Sequence, residues 1–75
     1  MNARDRFANL GYEIIENRSY IHLEKHSDHE ILIFKAVPET VNIKPVNKKD
    51  KYIRLESEAA IALGELCKEL NEHCL

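Results

Sequence analysis

The feature that most constrains this chain is the change of period at Ser57. Before it, Ile53 and Leu55 alternate with Tyr52 and Arg54, the two-residue period of a half-buried strand. Beyond it, Ala60, Leu63, Cys67, Leu70 and Cys74 recur at three and four residues with Leu66 beside them, the stripe of an amphipathic helix. Ser57 stands where a hydroxyl can accept an orphan N–H of the first helical turn, and Glu58 complements the positive end of the helix dipole. Strand-forming chain followed by a one-sided helix predicts a sheet with a helix laid over it.

The residues upstream supply the sheet. Asn2 to Leu10 read as a short helix, with Asn2 as cap, Phe7 and Leu10 on one side and Gly11 suited to a left-handed stop. Five strand candidates follow, at Tyr12 to Glu16, Ser19 to His26, His29 to Ala36, Glu39 to Lys44 and Lys51 to Leu55. They are separated by breaks at Asn17-Arg18, Ser27-Asp28, Val37-Pro38 and the polar run Asn47 to Asp50, and breaks this short imply an antiparallel meander. With two-residue loops, Ile14 falls opposite Ile21 and Tyr12 opposite Leu23, Leu23 opposite Leu32 and Ile21 opposite Phe34, Phe34 opposite Val41 and Leu32 opposite Ile43. The predicted core face is then Tyr12, Ile14, Ile21, Leu23, Leu32, Phe34, Val41 and Ile43, joined by Ile53 and Leu55 and covered by the C-terminal helix. The expected fold is α+β in a single domain, residues 1–75: a short N-terminal helix, an antiparallel β-meander of four to five strands, and a C-terminal helix packed on one face of the sheet.

The same register places Ile15, Tyr20, His22, Ile31 and Ile33 on the opposite face, with Tyr52 and Arg54 and a rim of Glu24, Lys35, Thr40, Asn42 and Lys44. An apolar centre inside a polar rim is the anatomy of an interaction patch. Ile15, Tyr20, His22, Ile31, Ile33 and Tyr52 are therefore the candidate partner-binding residues. Two placements of the N-terminal helix stay open, across this face with Phe7 and Leu10 on Ile15 and Ile33, or at an edge of the core.

A chain of 75 residues buries only about 60% of the surface its unfolded form exposes, so an oligomer or a partner would add stability. Pairing the patch with itself predicts a weak homodimer, with Ile31 and Ile33 near the axis and His22 at its rim, loosening on mild acidification. Net charge is −2, against the surplus of Lys and Arg that a general grip on nucleic acid needs. No apolar run approaches the roughly 18 residues of a membrane span, and the N-terminus lacks the apolar core of a signal peptide, which predicts a cytoplasmic protein with no membrane partner. Cys67 and Cys74 lie seven apart on one helix, about 10 Å, too far for a disulfide, and read as reduced core residues.

Chemistry-bearing patterns are few. Gly11 and Gly64 are the only glycines, which excludes a Gly-rich phosphate loop, and no CxxC or HExxH occurs. Ser19, Ser27 and Ser57 all sit at turns or a cap. His22 and His26 would be about 13 Å apart along one strand, too far to share a metal, and His26 with His29 at a turn makes only two ligands. The expectation is a non-enzymatic protein with no cofactor and no metal. The order helix, antiparallel sheet, helix is similar to the double-stranded RNA-binding domain, which grips phosphate at the start of its last helix, where this chain has Glu56, Ser57 and Glu58. The alternative nucleic-acid surface is the basic 44–54 segment, with Lys44, Lys48, Lys49, Lys51 and Arg54.

Phe7, Leu10, Gly11 and Tyr12 form an F-x-x-L-G-Y pattern, and Ile53, Leu55 and Glu56 followed by Ala60 and Ile61 form I-x-L-E leading into a helix. The two patterns together resemble a group of small orphan proteins of Gram-positive bacteriophages and integrative elements. The resemblance implies an accessory protein of a mobile element, with the fold derived above and no inherited catalytic residues. The expected function is a non-catalytic protein-binding accessory module of a phage or mobile element, acting on a host or phage protein through the outer sheet face.

Overall fold

A computed structural model describes residues 2–26, 28–47, 49 and 52–73. The order is α1 (Ala3–Asn9), β1 (Glu13–Glu16), β2 (Tyr20–Lys25), β3 (His29–Phe34), β4 (Val41–Pro45) and α2 (Ser57–His73). The four strands form one antiparallel meander, β1-β2-β3-β4.

Helix α1 is set by its two ends. The Asn2 side chain accepts the Asp5 N–H at 2.9 Å, which satisfies one orphan donor. At the other end Gly11 takes φ +92°, the Gly11 N–H donates to the Ala8 carbonyl and the Tyr12 N–H to the Phe7 carbonyl. These bonds make a Schellman stop, and its usual apolar contact is the edge-to-face pair Phe7–Tyr12, with ring centroids 5.0 Å apart. The F-x-x-L-G-Y pattern is thus the helix terminus itself, which turns the chain into β1.

Both helices lie on the same side of the sheet. Ala3 and Phe7 of α1 and Ala59, Ala62, Leu66 and Leu70 of α2 join Tyr12, Ile21, Leu23, Ile31 and Ile33 in one buried cluster. This settles the placement of α1: it packs against α2 and β1 and leaves the other face uncovered. The stripe of α2 is turned by one residue from expectation. Ala59 is buried where Ala60 was expected, Leu63 and Cys67 are half-buried, and Ala60 and Ile61 face out. Ser57 is the first helical residue, and the preceding Glu56 carbonyl accepts the Ala60 N–H. Residues 52–56 form no strand, so the fifth strand is not made over the described part of Lys51 to Leu55, although Leu55 still packs against the core. Cys67 is free and half-buried, and burial pushes its thiol pKa up. Cys74 lies outside the described residues.

The principal correction concerns register. In the β1–β2 pair, Ile14 faces Leu23 rather than Ile21, because four residues rather than two separate the paired ends Glu16 and Ile21. The Asn17 side chain organises that turn by accepting the N–H groups of Ser19 and Tyr20 at 2.8 and 3.0 Å. A shift of two residues leaves every side chain on its expected face. In the β2–β3 pair the shift is one residue: Lys25 faces His29, Leu23 faces Ile31 and Ile21 faces Ile33. A one-residue slip inverts a strand, so Ile31 and Ile33 are fully buried, while Leu32 and Phe34, expected inside, point outward. His26 takes φ +51° at this turn, a left-handed conformation in which His is several-fold enriched among non-glycine residues.

The reason lies in the neighbours of the apolar run Ile31 to Phe34, which by itself suits either face. Burying Leu32 and Phe34 would direct Glu30 inward on the same parity, and an unpaired carboxylate is costly to desolvate. The observed orientation buries His29 instead, whose imidazole Nε2 finds a partner in Tyr12. Strand β4 slips by one relative to β3, Ile33 facing Val41 and Ile31 facing Ile43, and so keeps its expected parity.

Candidate functional site

The uncovered face is a grid of three cross-strand rows. Tyr20 pairs with Phe34; Ile15, His22, Leu32 and Asn42 run side by side; then Glu13, Glu24, Glu30 and Lys44. The first two rows form a shallow concavity lined by Ile15, Tyr20, His22, Leu32 and Phe34. Ile15 is 55% and Phe34 43% exposed, and the Tyr20 and Phe34 rings meet edge to face at 6.5 Å. Two aromatic and two aliphatic side chains are therefore held side by side by backbone pairing, which suits them to a second apolar surface.

Of the six candidate partner residues, Ile15, Tyr20 and His22 come together on this face. Ile31 and Ile33 do not: both are fully buried under the helices and neither can reach a partner or lie at a dimer axis. Leu32 and Phe34 occupy their places, a substitution the sequence signals through the parity of Glu30. Tyr52, 88% exposed, lies beyond β4 and outside the sheet.

Lys44 ends the acidic row and pairs with Glu30 at 3.3 Å. Lys49 and Arg54 are exposed, and Lys48 and Lys51 lie outside the described residues.

The four histidines diverge. His22 is on the outer face, with Nε2 3.7 Å from the Glu30 carboxylate; His26 is exposed at the β2–β3 turn; His73 ends α2. His29 is 2% exposed, and its Nε2 lies 2.6 Å from the Tyr12 hydroxyl. Burial first, then the negative charges of Glu56 and Asp28, raises the Tyr12 pKa and keeps the phenol protonated, and the imidazole tautomer sets which of the two groups donates. His29 Nδ1 has no hydrogen-bond partner among the described residues, and the Asp28 carboxylate stands 3.8 Å away. Both side chains are buried on the helix side of the sheet.

A second polar feature escaped sequence reading. Glu16 accepts from Arg4 Nε at 2.8 Å and Nη2 at 3.0 Å, and from Lys35 Nζ at 2.7 Å. Arg4 also reaches Glu69 at 3.4 Å, so the group ties α1, β1, the end of β3 and α2 together. The Arg4 hydrogen bond, with help from Lys35, holds the Glu16 carboxyl down at about 2. No local sequence signal announces contacts between residues 12 to 65 apart.

Among the described residues no helix is long and apolar enough to cross a membrane. No family model matches this chain, and neither does a curated protein or a solved structure.

Proposed function

We propose that this protein is a non-catalytic protein-binding module that works through the outer face of its sheet, as an accessory protein of a phage or mobile element. The observation that carries the reading is the contiguous set Ile15, Tyr20, Leu32 and Phe34 on a face that both helices leave uncovered. A 75-residue domain that places two aromatic rings and two large aliphatic groups against water lowers its free energy when another surface covers them. The acidic row and Lys44 at one end supply a charged rim that fixes orientation more than affinity. The mobile-element assignment rests on the resemblance carried by Phe7, Leu10, Gly11 and Tyr12 and by the Ile53 to Ile61 pattern.

The test is affinity capture from nuclease-treated bacterial extract with three baits: wild type, Ile15→Asp and Phe34→Asp. The expected result is one protein retained by the wild type and lost by both variants, whose circular dichroism and melting stay close to wild type. A partner retained equally by all three baits would remove this face from the function. Capture found only in a parallel extract left without nuclease would move the function to nucleic acid and the basic 44–54 segment.

A further inference from the structure

We propose that His22, Glu24 and Glu30 form a binding site for a divalent transition-metal cation, with zinc the best match to the donor set. The three side chains offer one imidazole nitrogen and two carboxylate oxygens, all within 4.8 Å of one another and all half-buried. His22 and Glu24 are two residues apart on β2 and so share a face, while Glu30 stands directly opposite Glu24 on β3. Donors bound to one zinc at about 2.0–2.2 Å lie roughly 3–3.5 Å from each other. His22 Nε2 and Glu30 are already 3.7 Å apart, so small rotations of side-chain ends close the site on a backbone that need not move.

The pairing of the sheet supplies an independent reason. Glu13, Glu24 and Glu30 are consecutive members of one cross-strand row, and like charges directly opposite each other on a sheet are destabilising. Lys44 at the end of the row offsets one of these charges, pairing with Glu30 at 3.3 Å. A divalent cation between Glu24 and Glu30 removes the remaining repulsion. Lys44 is largely exposed and gives up a surface ion pair when the metal enters, a small loss. The imidazole and the small number of donors favour zinc over magnesium and calcium, which take more oxygen ligands. Sequence spacing did not show this site because its ligands come from two strands and the β2–β3 register decides which of them meet. The site shares His22 with the apolar concavity and takes its two carboxylates from the acidic row at the other end of the same face.

The experiment is calorimetric titration of zinc into the full chain carrying Cys67→Ser and Cys74→Ser, which removes thiolate ligands, repeated with His22→Gln, Glu24→Gln, Glu30→Gln and His26→Ala added singly. Expected is saturable one-to-one binding that is weakened at least about tenfold by each of the first three substitutions and unchanged by His26→Ala. Magnesium at the same concentration should give no heat. Folding is not at risk in the glutamine variants, because Glu24→Gln and Glu30→Gln relieve repulsion and should melt at or above the wild type without metal, while losing the rise in melting temperature that zinc gives the parent. Absence of saturable binding, or binding insensitive to His22→Gln, Glu24→Gln and Glu30→Gln, would overturn the proposal.

Discussion

The two faces of this sheet are built from the same four strands and finished in opposite ways. One carries Ile21, Leu23, Ile31 and Ile33 beneath two helices and is closed to water; the other carries Ile15, Tyr20, Leu32 and Phe34 and is open. The apolar content of the two sets is nearly equal, so hydrophobicity does not tell them apart. The difference lies in the polar residues that share each parity. The covered face brings in His29, one ring nitrogen of which meets Tyr12, and Glu16, which Arg4 and Lys35 pair, whereas the open face brings in Glu13, Glu24 and Glu30, with Lys44 the one cation in their row. Strand orientation in a small sheet can thus be decided by the least buriable neighbour of an apolar run.

Adjacent residues of β3 give the largest test of that contrast. Ile33→Asp places an unpaired charge in the core and should cost about 4 kcal/mol or more, enough to unfold a domain of this size. Phe34→Asp, one residue on but on the open face, should shift urea stability by less than about 1 kcal/mol. Equal losses from the two substitutions would break the distinction between the faces.

The buried polar pair sharpens it further. Tyr12→Phe keeps the ring packing on Phe7 but removes the hydroxyl that meets His29 Nε2. With Nδ1 already lacking a partner among the described residues, the loss should be about 1–3 kcal/mol in urea denaturation. Adding His29→Leu should recover part of it, because a buried donor or acceptor without a partner costs more than none at all.

Much of this architecture was legible in the chain. Both helix termini of α1, the meander order and the parity of β1, β2 and β4 follow from Asn2, Gly11, the short breaks and the alternating apolar residues. The error in β3 came from counting the β2–β3 connection as two residues when Lys25 and His29 pair across three. Nothing at that turn resembles Asn-Gly, and His26 carries the left-handed conformation without a glycine to mark it. The two-residue error at the β1–β2 turn was harmless for the opposite reason, since an even shift preserves every face. Three of the six candidate residues, Ile15, Tyr20 and His22, therefore lie on the open face, and Leu32 and Phe34 were hidden behind one loop residue. The Arg4–Glu16–Lys35 group could not be anticipated, because it depends on tertiary neighbours far apart in sequence.

That group belongs to the closed side, and the effect expected of it is smaller than that of the Tyr12–His29 pair. Glu16→Gln should cost about 1 kcal/mol at neutral pH, the value of a charge-assisted group discounted for its partial exposure. The folded-state pKa of Glu16, about 2, lies below its ordinary value of 4.5, so its stabilisation is present above the ordinary value and is lost as pH falls through the folded one. The stability gap between wild type and Glu16→Gln should accordingly narrow from about pH 5 down to about pH 2, as followed by urea melts across that range. A gap that stays constant would detach the carboxylate charge from the effect.

The most direct measurement of the central claim is the cross-strand contact pattern of β2 and β3 by nuclear magnetic resonance. The account predicts backbone proton contacts that place Lys25 opposite His29, Leu23 opposite Ile31 and Ile21 opposite Ile33, with the Leu32 and Phe34 side chains free of contacts to α2. Contacts placing Leu23 opposite Leu32 and Ile21 opposite Phe34 would contradict it, since Ile31 and Ile33 would then stand on the open face and the surface and metal site assigned here would both be dismantled.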